Sequence, residues 1–224
     1  MVKEQIKVDH VTKIEGHAAL NLQLEDGKLK FVHMEVFEGA RYFEGIVRNR
    51  RFDEAPEITA RICGICTQGH TITSLQAIEK AIGLKVTKQT QELRKLLLYS
   101  SIIQSHILHL YFLALPDFLG HDNAISMAQK FPNELKRGLK LKELANDMVT
   151  VIGGRDIHAF TTIVGGFSYI PPQSEINRLK EKLKAQRDDA IKTVQLFAKL
   201  KYPDFARKTD YFAVFDFDFL GEDF

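Results

Sequence analysis

The chain is poor in cysteine. It has two in 224 residues, Cys63 and Cys66. A framework of several disulfides is therefore excluded, and so few thiols suit a reducing compartment. Neither sign of charge is in excess. Lys and Arg number 31 against 29 Asp and Glu, for a formal net charge of +2, so charge gives no reason to expect nucleic acid or an anionic membrane as partner. The opening segment, MVKEQIKVDH, lacks the apolar run of a secretory signal. A cytoplasmic location is expected. There is no internal repeat and no low-complexity linker. Hydrophobic residues make up 45% of the chain, enough for a sizeable core without covalent staples.

Long apolar runs are also scarce. The exception is residues 96–115, which contain no Lys, Arg, Asp or Glu. A bilayer-spanning helix needs about 20 such residues. Here Ser100, Ser101, Gln104, Ser105, His106 and His109 would spread polar groups around the helix. A helix buried inside the protein is expected instead, with no membrane span.

The patterns that are present predict an α+β fold, mainly α: an N-terminal antiparallel β-sheet followed by a bundle of long helices. Residues 5–37 read as strands, with Leu20, Leu22 and Leu24 on one face. EDGK is a turn signal, and the change of phase between Phe31 and Val32 predicts a bulge in the strand after it. Residues 39–60 read as short helices and loops. Ile72, Leu75, Ile78 and Ile82 recur at helical spacing after the cysteines, which places the thiols at the mouth of a helix. Further helices are expected from about 90 to 115, ending at Pro116, and from Pro132 to Gly153 and Gly154, with Leu135, Leu139, Leu144 and Met148 inward. Residues 154–172 read as a loop. A single long helix from Ser174 buries Ile176, Leu179, Leu183, Ala190, Val194 and Phe197. Phe215, Phe217 and Phe219 alternate with Asp216 and Asp218 in a strand pattern without a successor. The chain is expected to divide into 1–60, β-rich with short helices, and 61–224, a helical bundle incomplete at its C-terminal end.

The chemistry concentrates in RICGICTQGH, Arg61 through His70. Two thiols two residues apart are compatible with a redox pair, a structural zinc site or inert buried cysteines. A thioredoxin-like site needs a βαβ context that is not evident. Zinc needs two further ligands at finger-like spacing, and an iron–sulfur cluster takes four thiolates. Position adds an argument. The positive end of a helix dipole and the neighbouring Arg61 both favour thiolate, a soft ligand that selects soft or borderline metals.

The same segment resembles the RxCGxCxxxH motif of the large subunit of [NiFe] hydrogenases. Four other stretches are similar to that family in the same order. VTKIEGH resembles an R-I-E-G-H element, with Lys13 where arginine is usual. ARYFEGIVRNRRFDEAP resembles the segment preceding the cysteines. SHILHLYFLALPDF resembles an S-H-x-x-H…D helix. GGRDIHAFTTIVGGF resembles a G-R-x-x-H-P…G-G element, with Ala159 in place of proline. The style is closest to cytosolic-type hydrogenases.

The resemblance implies an oxidoreductase that cleaves or forms dihydrogen heterolytically at a nickel–iron centre whose iron carries carbonyl and cyanide ligands. It implies that Cys63 is a terminal nickel ligand and Cys66 a bridge between nickel and iron. It makes Glu15 a proton relay, Glu44 a ligand of a magnesium or iron ion, His70 a hydrogen-bond partner of the bridging sulfur, and Asp117 part of the canopy above the metals. Arg61 lies beside the thiols. Without the resemblance, Glu15 and Glu44 read as surface carboxylates, Asp117 as a helix end and His70 as a buried histidine. His106 and His109 read as core histidines packed near the site. The implied partners are a small iron–sulfur subunit, an electron-transfer subunit linked to nicotinamide, flavin or heterodisulfide, and maturation proteins. The family's second cysteine pair, near its C-terminus, has no counterpart here. The 224 residues are therefore expected to cover the N-terminal half of a large subunit, and to be inactive alone. Two alternatives are a non-catalytic member of the same scaffold, like the quinone-site subunit of complex I, and a zinc-binding structural module. The complex I subunit lacks the cysteines, and Cys63 and Cys66 argue against it.

Overall fold

A computed structural model of the chain describes residues 2–39 and 41–213. The predicted strand at Phe215, Phe217 and Phe219 lies outside them. Contacts divide the chain into two compact units, Met1–Arg48 and Asn49–Phe224.

The first unit is an antiparallel sheet in the order β1 (Lys3–Val8), β2 (Ala18–Glu25), β3 (Lys28–Val36), followed by the short helix α1 (Tyr42–Val47). Directly paired residues share a face. Leu20 and Leu22 oppose Val8 and Ile6 on one side and Met34 and Val32 on the other, so one face of the sheet is apolar. The tight turn at Asp26 and Gly27 joins β2 to β3 as expected. The predicted bulge is present: Leu24 pairs with Leu29 and Gln23 with Phe31, which leaves Lys30 as the extra residue.

The second unit is helical. A turn at Phe52–Glu54, helix α2 (Ala55–Thr59) and a second turn at Ala60–Ile62 lead into α3 (Thr67–Ala81). The sequence division at residue 60 grouped these short helices with the sheet. In the structure α2 packs on α3, so the division drawn by contacts falls earlier. Ile72 and Leu75 are buried on α3, whereas Ile82, past the last turn, is exposed.

Helix α4 (Lys88–Leu108) does not stop at Pro116. A π-helical turn (His109–Ala114) carries it into α5 (Leu115–Phe118). Proline lacks the N–H for an intrahelical bond and crowds the preceding turn. The wider turn, in which the Leu115 N–H reaches the Leu110 carbonyl, accommodates it. The continuous Lys88–Phe118 rod is long and apolar enough to cross a membrane by length and composition, and a third of its most apolar window is buried within the chain. Leu93, Leu97, Ser100, Ser101, Gln104 and Ile107 form its buried face, while Leu96 and Ile103 are exposed.

After the short α6 (Ala124–Ala128), α7 (Pro132–Gly153) packs along α4. Its buried stripe is Gly138, Leu141, Leu144, Ala145, Met148, Val149 and Ile152. Leu139, expected inward, is 53% exposed. Tyr111 explains the small residue at 138. It is fully buried, and a Cβ on Gly138 would lie 2.6 Å from its ring. The segment read as a loop holds a small hairpin, β4 (Thr162–Ile163) and β5 (Gly166–Phe167). The last expected helix is two, α8 (Gln173–Ala185) and α9 (Arg187–Phe197), with a break at Gln186. The break shifts the helical phase. Beyond it Phe197 remains buried, but Ala190 and Val194 are exposed and Thr193 turns inward; before it Leu179 is buried and Leu183 exposed.

A buried ion pair ties this unit together. Arg94 on α4 grips Glu79 on α3 through two bonds of 2.7 and 2.8 Å. Glu79 also accepts the Gly165 N–H at 2.7 Å, and Arg94 donates to the Ile163 carbonyl at 3.1 Å. Burial alone would raise the Glu79 pKa. The Arg94 guanidinium and the Gly165 N–H outweigh it, and the net shift is downward.

Candidate metal centre

The two thiols sit on the short loop between the Ala60–Ile62 turn and α3. Cys63 is extended and buried, at 7% exposure, while Cys66 is exposed and occupies the N-cap of α3. Neither is joined in a disulfide. The Cys66 N–H donates to the Cys63 sulfur at 3.1 Å. The Cys66 carbonyl accepts from the N–H groups of Gly69 and His70, at 3.1 and 3.4 Å. The loop thus lies at the positive end of a helix, with one sulfur already solvated by a backbone donor. Arg61 is exposed and lies 3.8 Å from Glu57, so part of its charge is answered by that carboxylate.

Cys66 opens onto a mostly apolar cavity of about 150 Å³ between α3 and α4, lined by Gly69, Leu98, Ile102, Ser105 and His106 among others. His106 therefore shares a cavity with Cys66. It is not a core histidine, however: both His106 and His109 are exposed. The reason is rotational. The face of α4 that packs on α7 runs through Gln104 and Ile107, and the two histidines fall outside it.

His70 is half-buried on α3, one turn beyond Cys66 and on the same side of the helix. Asp117 is exposed on α5, directly after the buried Pro116. Glu15 and Glu44 belong to the first unit and are exposed there. Glu15 sits in the connection between β1 and β2, beside Gly16 at φ +86°. Glu44 on α1 accepts from Arg41 Nε at 3.1 Å. Among the described residues, no three His, Cys, Asp or Glu side chains converge into a group that could hold a metal ion.

Sequence reading did not assign a role to three groups at the base of the thiol loop. The Thr67 hydroxyl donates to the Ala60 carbonyl at 2.8 Å. His158 Nδ1 lies 2.9 Å from the same carbonyl and 3.1 Å from the Thr67 hydroxyl. A signal existed, since His158 is the histidine of GGRDIHAF. Its contact with Ala60 spans 98 residues, and no local pattern reports it.

The model of the nickel-dependent hydrogenase family matches residues 41–138. The alpha chain of sulfhydrogenase 2 from Pyrococcus furiosus is 38% identical over 193 residues, covering 86% of this chain and 47% of that one. The corresponding alpha chain of sulfhydrogenase 1 from the same organism is 36% identical over 196 residues, covering 88% and 46%. Among solved structures, the Ni-Fe-Se hydrogenase from D. vulgaris Hildenborough in the reduced state superposes with a TM-score of 0.74 at 27% identity, over 88% of this chain and 45% of that one. The NAD+-reducing [NiFe]-hydrogenase in the H2-reduced state gives a TM-score of 0.82 at 23% identity, over 88% and 45%, which is a likeness of fold. The chain spans about half the length of the relatives it matches. By motif, order of elements and fold, the chain resembles the N-terminal half of the large subunits of nickel-dependent hydrogenases.

Proposed function

We propose that these 224 residues serve as the N-terminal half of the catalytic large subunit of a cytoplasmic [NiFe] hydrogenase, and that Cys63 and Cys66 supply two of the thiolates of its nickel–iron centre. One observation carries the reading: in a chain that resembles this family, two thiols share one short loop at the mouth of a helix, with Cys63 Sγ accepting the Cys66 N–H at 3.1 Å. Soft donors in a positively polarised setting fit nickel and iron. They are half of a four-thiolate set, so the other ligands come from sequence outside these residues.

When bound, the metal pair, with carbonyl and cyanide on iron, would supply the redox-active centre at which dihydrogen is cleaved or formed heterolytically. The chain's own groups bind and position. Cys63 and the exposed Cys66 would hold the nickel–iron pair through their sulfurs. His70, one turn on, would orient the Cys66 sulfur. Asp117 would stand in the canopy, and Arg61 would add positive charge beside the thiols. Glu15 would accept or deliver the proton. Glu44 is an oxygen donor suited to a magnesium or iron ion. The partners would be a small iron–sulfur subunit, an electron-transfer subunit linked to nicotinamide, flavin or heterodisulfide, and maturation proteins.

The test is to produce the complete large and small subunits together with the maturation proteins and to measure nickel per complex and dihydrogen-dependent dye reduction. Cys63→Ser and Cys66→Ser should each abolish both. Full nickel content in either variant would refute the assignment, and stoichiometric zinc in place of nickel would favour a structural zinc module.

A further inference from the structure

The loop carrying the thiols is closed at its base by side chains that are not themselves metal ligands. Ala60 precedes Cys63 by three residues and Thr67 follows Cys66 directly. Both are nearly fully buried. The Thr67 hydroxyl proton goes to the Ala60 carbonyl at 2.8 Å, which joins the two ends of the loop. His158 then meets both, at 2.9 Å from the Ala60 carbonyl and 3.1 Å from the Thr67 hydroxyl. A carbonyl oxygen can only accept, so Nδ1 carries a hydrogen.

His158 is itself held in an unusual state. Its φ is +52°, in the left-handed region that residues with a Cβ adopt at a cost. Such a conformation persists only where its surroundings over-determine it. Here they do so from both sides. Arg155 Nε donates to the His158 carbonyl at 2.6 Å, and the Arg155 guanidinium lies 5.6 Å from the centre of the Phe160 ring. The backbone is pinned by residues 155–160, and the imidazole is aimed at the base of a loop about ninety residues earlier. The loop gains a fixed anchor that its own short helices do not provide.

We propose that His158 is a positioning residue for the thiol pair. Together with Thr67 it clamps the Ala60 carbonyl and thereby sets the spacing of the Cys63 and Cys66 sulfurs for metal capture. The proposal rests on the reading of Cys63 and Cys66 as metal ligands only for its purpose. The clasp itself is measurable without metal.

The experiment uses the reduced 224-residue chain. Alkylation of Cys63 and Cys66 by iodoacetamide is followed by mass spectrometry, and amide hydrogen exchange at Cys66 is compared with exchange along α7. His158→Asn keeps a donor at the Nδ1 position and tolerates left-handed φ, so it should behave as wild type. His158→Gln moves the donor outward. Thr67→Val removes the hydroxyl at constant shape, and Thr67→Ser restores it. His158→Gln and Thr67→Val should each speed Cys63 alkylation by roughly three- to tenfold, the worth of one hydrogen bond. They should speed Cys66 exchange similarly and leave α7 unchanged. Equal acceleration at Cys66 and in α7 would show a general loss of stability and overturn the proposal. So would a Cys63 rate within twofold of wild type in both variants, or identical behaviour of His158→Asn and His158→Gln. No readout depends on nickel, so a failed nickel measurement and a failed clasp give different results.

Discussion

Cys66 donates its backbone N–H to the sulfur of Cys63 across 3.1 Å, so the two thiols of one loop stand in unequal environments. Cys63 is buried and solvated by that donor, while Cys66 is exposed on the wall of the cavity. Alkylation needs both thiolate and access. In the reduced chain Cys66 should react first, by at least about tenfold. Peptide mapping after short exposure to iodoacetamide checks the order. Equal labelling of both would contradict this arrangement of the loop.

Leu97 and Ile103 lie on the same charge-free run but on different faces of α4, at 0% and 37% exposure. Leu97 packs in a cluster with Val149, Ile152 and Ala159. Leu97→Ala should cost about 2–5 kcal/mol. Ile103→Asp should change the stability of the isolated chain by no more than about 1 kcal/mol. Urea unfolding of the two variants decides it. A larger loss for Ile103→Asp would mean that the face is covered in solution.

Tyr111 anchors the π-helical turn to α7 and α9. Its hydroxyl bonds the Thr193 hydroxyl at 2.7 Å, and its ring meets Phe197 edge-on. A methyl at position 138 has no room beside that ring. Gly138→Ala should therefore destabilise by about 1–3 kcal/mol through overpacking, against the helix propensity of alanine. A rise in melting temperature would show that α7 and the turn are not in contact as described.

Glu79 and Arg94 form a pair in which each side chain is almost fully buried. Removing one partner strands a charge, at a cost of about 3–5 kcal/mol. Glu79→Gln alone should be severe. Adding Arg94→Met should recover much of the loss. The double-mutant cycle is the measurement, and strict additivity would argue against a coupled pair.

Asp147 on α7 is held by Arg178 and Lys182 of α8. The hydrogen bonds from Arg178, assisted by Lys182, bring its pKa from 3.8 down to about 2. A carboxyl depressed on folding contributes stability that is present above its unfolded pKa. That contribution fades as pH falls through the interval from about 4 to about 2. Unfolding free energies of wild type and Asp147→Asn should therefore differ most above pH 4 and converge toward pH 2. A difference that does not change over this interval would show that the ion pair is absent in solution.

Much of the architecture was legible because its signals are local. The turn at Asp26 and Gly27, the bulge at Lys30 and the start of α7 at Pro132 each follow from a few adjacent residues. The helix after the cysteines was legible from periodicity, and the motif around Cys63 and Cys66 pointed to soft-metal chemistry without any knowledge of packing. Less legible were the phase of Leu139 and Val194, the passage of the helix through Pro116 and the break at Gln186. Those depend on what lies across the contact. Periodicity reports that a helix has an apolar side, while the neighbour decides how wide it is and where it turns.

By itself, the sequence determined the family-like motif, the order of strands and helices, and the position of two thiols at the mouth of a helix, because backbone propensity and turn chemistry act over a few residues. Only the tertiary structure decided that Cys63 is buried and Cys66 open, that His106 is on the surface and shares a cavity with Cys66, and that His158 reaches back to Ala60. Burial and hydrogen-bond partnership across long sequence separations belong to the packed chain, where the same side chain is ligand, clasp or surface according to what stands within about 3 Å of it.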